Sequence, residues 1–373
     1  MNAEPKKQIT FFNTFIEDEA YENVKEVLES TMLSEGKLVK KFESKLQSEL
    51  GLINPVALNS GTSALHLALV LAGIKPGDEV ILSAQTFIAT GLVIVQEKAV
   101  PVFADIQYET GNIDPKSVKK KMTKKTKAIM VVHWAGYPAD LDEINAIAKK
   151  HNLVVIEDSA HALGATYKGK AIGSISDFTC FSFQAIKHLT TGDGGALCLK
   201  DSEKAREAMA RRWFGIDRVN SKQTELGERE YDVESVGYKY HMNDYSASLG
   251  LSNLKNFKFR LIKRQAIARR YKEELKNIPG IKLFQEKNDR VGAYWQFGFH
   301  VQRRLDFIGK LKEAGIPTSV VHLGIDHNSI FGGKRKDLTN QRSFDQSQIH
   351  IPIHDSLDES QIDYIIETIK KGW

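Results

Sequence analysis

The feature that most limits the fold of this chain is a series of short apolar segments between residues 55 and 200. EVILS at 79–83, AIMVVH at 128–133, LVVIED at 153–158, FTCFSF at 178–183 and GALCL at 195–199 read as strands, and VPVFAD at 100–105 as extended chain. Between them lie helical patterns, clearest in ALHLALVLA at 64–72 and TGLVIVQ at 90–96. Uninterrupted apolar, β-branched strands need cover on both faces, and interleaved helices supply it. The pattern therefore predicts an α/β fold: a mostly parallel sheet covered by helices. Helix-rich sequence follows from Asn243 to Lys276; beyond Pro279 and Gly280 come short strands and helices, closing with an amphipathic segment from Asp358 to Lys370. We expect a large α/β domain over residues 1–250 and a smaller α+β domain over 251–373.

Composition removes several classes of function. At 373 residues, with 42% hydrophobic and 27% charged residues, the chain has the make-up of a folded, soluble protein. A net charge of +5 is too small an excess for a dedicated nucleic-acid binder. The richest apolar stretch, 56–74, is interrupted by Asn59, Ser60, Gly61, Thr62, Ser63 and His66, so no membrane span is expected. The opening MNAEPKKQITFFNTFI lacks the apolar centre of an export signal, and two cysteines, Cys180 and Cys198, suit a reducing cytoplasm. No HExxH or CxxC motif occurs, and Pro352 between His350 and His354 spoils a helical ligand pair, so no metal site is expected. The lysines at 116, 119, 120, 121, 124, 125 and 127 read as a solvated helix face.

Four features make chemical sense together. NSGTSALH at 59–66 is a small polar turn leading into a helix; its free N–H groups, the Thr62 and Ser63 hydroxyls and the helix dipole form a seat for phosphate, although plain N-capping by Ser60 or Thr62 gives the same pattern. Asp158 ends a parallel strand, at the rim where α/β proteins bind ligands, unless it serves as a cap or ion pair. Lys187 lies among Phe183, Ala185, Ile186 and Leu189; if these desolvate it, its amine becomes a nucleophile, and if not it is one more solvated lysine. Phe87, just past a strand end, offers either a flat surface for a planar ring or a core side chain. One cofactor uses all four, pyridoxal 5′-phosphate: a phosphate seat, a carboxylate for the ring nitrogen, a lysine for the aldehyde and a surface against the ring.

With those residues in view, the chain resembles the DegT/DnrJ/EryC1/StrS family of sugar aminotransferases, of the type I aminotransferase fold. The resemblance runs through GKLVKKFESK (36–45), NSGTSAL (59–65), KPGDEVI (75–81), TFIAT (86–90), HWAGYPADLDEI (133–144), EDSAHALGA (157–165), the segment 182–195 and IHIPIHDSLDESQIDYI (349–365). It implies that Lys187 bonds to the cofactor aldehyde and Asp158 pairs with the pyridine nitrogen. It further implies that Thr62, Ser63 and Ser182 hold the phosphate, that Phe87 lies against the ring, and that His161 stands near the ring hydroxyl or serves as a structural histidine. The implied reaction moves an amino group from glutamate, through pyridoxamine 5′-phosphate, to a keto sugar, most simply a nucleotide-linked keto-deoxy sugar, in a homodimer with shared active sites. Two departures stand out. Where relatives carry an asparagine that reaches the partner's phosphate, this chain has Lys239, whose charge can make the same contact. His188 follows Lys187, whereas some relatives replace the lysine itself by histidine and act as dehydratases; removal of a sugar hydroxyl, or amination of a non-nucleotide sugar or cyclitol, is the alternative.

Overall fold

The computed structural model describes residues 8–218 and 220–373. Among these, seven strands form the central sheet: β1 (Pro55–Leu58), β2 (Glu79–Ser83), β3 (Val100–Ala104), β4 (Thr126–Val132), β5 (Val154–Asp158), β6 (Phe178–Ser182) and β7 (Gly195–Leu199). Their order is β1-β7-β6-β5-β4-β2-β3. The pairs from β6 through β5, β4 and β2 to β3 are parallel, while β7 runs antiparallel to both β6 and β1.

The two-residue period of the strands divides their side chains between two cores. Leu58, Val80, Leu82, Ile156, Cys180 and Leu197 pack with the helices Gly61–Leu71, Ile88–Gln96 and Ser202–Arg211. Ala57, Ile81, Val155, Phe181, Ala196 and Cys198 face the helices Lys37–Leu50, Leu141–His151 and Asp244–Leu254. This double cover is what the uninterrupted apolar runs required. Both cysteines are free and buried. The helix expected from residue 64 begins earlier, at Gly61, because the Ser60 hydroxyl caps it by accepting the Ser63 N–H at 3.0 Å.

A smaller antiparallel sheet has β9 (Phe297–Val301) between β8 (Ile281–Leu283) and β10 (Gln348–Ile351). Phe299, Ile349 and Ile351 pack there with Tyr271, Phe307, Ile365 and Ile369 from three helices. The last of these, Glu359–Lys370, opens with a capping box between Asp358 and Gln361. Helix Phe257–Leu275 links the cores: Phe257 belongs to that of the large sheet, and Ile267 to Leu275 to that of the small one. Arg290–Val291 pairs with Thr166–Tyr167, a second tie between the two parts. His350 and His354 lie on β10 and in the chain just after it, consistent with the break that Pro352 imposes. No helix among the described residues is long and apolar enough to cross a membrane.

Two buried charges fasten the helix Lys37–Leu50. Arg212 meets Glu35 at 2.9 Å, pairs with Glu43 and donates to the Ala57 carbonyl at 2.9 Å. The buried Asp244 carboxylate accepts the N–H groups of Gly36 at 2.9 Å, Val39 at 3.1 Å and Leu38 at 3.3 Å, and so caps a helix that its own Gly36 cannot cap. Asp244→Ala leaves those donors buried without partners and is expected to cost about 2 kcal/mol, read as a lower urea midpoint with an unchanged m-value.

Candidate active site

The carboxyl ends of β5 and β6, the turn after β1 and the loop after β2 meet C-terminal residues around a cavity of about 450 Å³. Thr62, Phe87, Asp158, His161, Ser182 and Lys187 all line it. The acid and the amine that the sequence singled out thus open into one space.

The turn after β1 caps its helix and lines the cavity. With Ser60 bonded to the Ser63 N–H, the first donors of the helix at Gly61 and Thr62 have no carbonyl within the helix to bond. Glycine at 61 is required by proximity: a Cβ there would lie 2.9 Å from the Ser182 Cβ and 3.3 Å from the Phe181 oxygen. Its absence lets the helix N-terminus rest on the end of β6, with Ser182 alongside. Glycine at 195 serves the same junction, since a Cβ there would lie 2.5 Å from the Ser60 carbonyl. Ser63 plays a different part. Its hydroxyl donates to Asn59 Oδ1 at 2.6 Å and meets Ser60 Oγ at 2.8 Å, so it stabilises the turn from inside.

Asp158 is buried, with Oδ2 accepting from the Thr90 hydroxyl at 2.7 Å and Oδ1 from the Ala160 N–H at 3.2 Å. Burial raises its pKa against the pull of those donors and of Lys187. Glu157, on the other face of the strand, pairs instead with His133 at 2.7 Å. Lys187 follows β6 in a tight turn, its N–H bonded to the Gln184 carbonyl at 2.9 Å. Burial lowers its pKa to about 7, with Asp158 opposing the shift. Its Nζ stands 3.7 Å from the centre of the Trp295 ring. His161 stacks on the same indole at 3.7 Å, and its Nδ1 is buried without a partner. Burial and the Lys187 charge keep that imidazole neutral.

Phe87 is 53% exposed and faces His322 at 5.3 Å, so it is a wall of the cavity rather than a core residue. Lys239 lies off the cavity of its own chain, its Nζ over the Trp213 ring at 4.5 Å and its carbonyl accepting from Asn59 at 3.1 Å. His188 is buried and turned away, Nε2 bonded to the Ala293 carbonyl at 2.9 Å. Sequence reasoning assigned no role to three contributors: Thr90, Trp295 and His322. Trp295 stands in AYWQFGF, which reads as strand, and nothing local ties it to residue 187. His322 carried one signal visible only in the backbone, the left-handed Val321 before it (φ 60°), unfavourable for a β-branched residue.

These residues fit pyridoxal phosphate. Helix N–H groups and the Thr62 and Ser182 hydroxyls can take the phosphate, Asp158 the ring nitrogen, the unpartnered His161 nitrogen a ring oxygen and Lys187 the aldehyde. When bound, the cofactor supplies an electron-withdrawing ring that stabilises negative charge on the carbon attached to the transferred amine.

The lysine's displaced pKa makes a stability prediction. The unfolded chain keeps the proton on Lys187 up to its ordinary 10.5, whereas the cofactor-free fold releases it at about 7. Between those values the unfolded state binds more protons, so this group's burden on the fold is full below pH 7 and falls as pH rises. Lys187→Met is expected to stabilise the cofactor-free protein by a few kcal/mol at neutral pH, a gain that shrinks toward zero near pH 10, read by denaturant titration across pH.

Comparison with known proteins agrees with this chemistry. The model of the DegT/DnrJ/EryC1/StrS aminotransferase family matches residues 14–370. GDP-perosamine synthase of Escherichia coli O157:H7 is 31% identical over 369 residues, covering 98% of both chains. The sugar aminotransferase CalS13 of Micromonospora echinospora superposes with a TM-score of 0.93 at 34% identity, over 98% of this chain and 100% of its own. Spr1654 of Streptococcus pneumoniae, solved in PLP and PMP forms, gives 0.90 at 31% identity, its PLP form over 98% of each chain. A desolvated lysine sharing one cavity with a buried aspartate on a type I aminotransferase fold, matched over nearly the whole chain, places this protein in the DegT/DnrJ/EryC1/StrS family as a PLP-dependent sugar aminotransferase.

Proposed function

We propose that the enzyme takes its amino group from glutamate and delivers it to the ketone of a nucleotide-linked keto-deoxy sugar, acting in the cytoplasm as a homodimer with shared active sites. The observation that carries this reading is the Lys187 amine, its pKa brought to about 7 by burial and open to the same cavity as Asp158. Near neutrality a large fraction of that amine is unprotonated and can attack a carbonyl. Once displaced by an incoming amine it stays beside the reacting carbon, where Nζ can accept a proton and return it to the neighbouring atom. Asp158 holds the proton of the ring nitrogen in a site shielded from water. The nucleotide-linked acceptor is supported by the name of the perosamine synthase relative.

A doubly charged phosphate needs compensation, and among the described residues Lys187 is the one lysine or arginine lining the cavity. A partner's Lys239 would provide the missing cation, which favours a site completed by a second copy. The turned-away His188, with Lys187 intact, favours amino transfer over loss of a sugar hydroxyl.

Incubation with glutamate and a panel of keto-sugar nucleotides, read by mass spectrometry, is expected to give an amino sugar and 2-oxoglutarate; a deoxy sugar with free ammonia would contradict the proposal. Lys187→Ala should lower amination on the order of a thousandfold or more. Lys239→Ala should weaken cofactor affinity by roughly tenfold to a hundredfold, measured by equilibrium titration, and unchanged affinity would remove its role.

A further inference from the structure

Trp295 belongs to none of the motifs that point to the site, yet the cavity's groups converge on its indole. The side chain is 2% exposed, with the Phe12 ring 5.4 Å away and His161 stacked on it. Its ring N–H donates to the carbonyl of Ile186 at 3.0 Å. That bond ties the indole to the backbone residue just before Lys187, so ring and lysine are held in register. Among the described residues the Lys187 Nζ has no ion pair and no hydrogen bond to a side chain; its contact is the indole, at 3.7 Å. An aromatic face is electron-rich, and tryptophan's attracts a cation most strongly, above all where water is excluded. The other basic group on the ring, His161, is kept neutral, so the indole has one cation to serve.

We propose that Trp295 is a positioning residue for amino transfer: its indole face holds the Lys187 ammonium whenever that amine is not bonded to the cofactor. The proton that Lys187 accepts during transfer is then kept at Nζ, beside the atoms that receive it back. The proposal rests on the role given to Lys187 above. It also explains how a lysine without a counter-ion in contact keeps a useful fraction of its charge in so apolar a place.

The test measures the amine directly. Cofactor-free protein, unaltered and as Trp295→Phe and Trp295→Leu, is mixed with pyridoxal phosphate, and the rate at which the lysine-bound absorbance band appears is followed against pH. Only the unprotonated amine reacts, so the midpoint of the rate profile reports its pKa, about 7 in the unaltered protein. Removing the aromatic face withdraws support from the charged form and lowers the midpoint. Leucine is expected to shift it down by about 0.5 to 1.5 units, with phenylalanine in between. A purely structural tryptophan would change the amount of folded protein, seen in the melting temperature, and leave the midpoint in place. A midpoint unmoved or raised in folded Trp295→Leu overturns the proposal. Should leucine prevent folding, Trp295→Phe decides it by the same sign, downward for and unmoved against. A missing band in the unaltered protein would instead remove the role of Lys187 itself.

Discussion

A primary amine held out of water is the constraint around which this structure is arranged. Burial draws the Lys187 pKa down to about 7, and the same burial raises that of Asp158. Each shift burdens a fold that encloses no cofactor, and each suits the chemistry of one that does. The burden is met by cores on both faces of the central sheet and by buried polar contacts at the surrounding turns, among them Asp244 under Gly36 and Arg212 between Glu35 and Glu43. The site is therefore a place where local preference is overruled by the rest of the molecule.

The C-terminal part takes a direct share in that enclosure. The His322 carbonyl accepts from Gln85 at 3.0 Å and from Gln348 at 2.9 Å, and Gln341 bonds to Gln85 at 2.7 Å. All three glutamines are fully buried, so bonds that would be weak in water here fix the strained Val321–His322 turn against the loop after β2. Trp295 enters from the same side. One wall of the cavity thus comes from the large sheet and the facing wall from residues more than 100 positions later in the chain.

Much of this was legible in the sequence for identifiable reasons. β2, β4, β5 and β6 showed as apolar runs because both of their faces are covered. Asp158 showed because a charge at the end of such a run is conspicuous, and Lys187 because it lies in apolar company a few residues after β6. The turn at 59–63 supported two readings, phosphate seat and helix cap, and its geometry accommodates both: Ser60 caps, Thr62 opens to the cavity, and Ser63 is spent within the turn. Phe87 also supported two readings, and only its exposure separates wall from core.

By itself the sequence indicated the α/β class, six of the seven strands of the central sheet, and an acid at the end of one strand and an amine a few residues after another, because periodicity and position next to a strand are local properties of a chain. Tertiary structure alone decided that Trp295 and His322 join them, that Ser63 and His188 turn away, and that the lysine loses its water. Those outcomes depend on which distant segments come together and how much solvent they exclude. No short-range pattern records either.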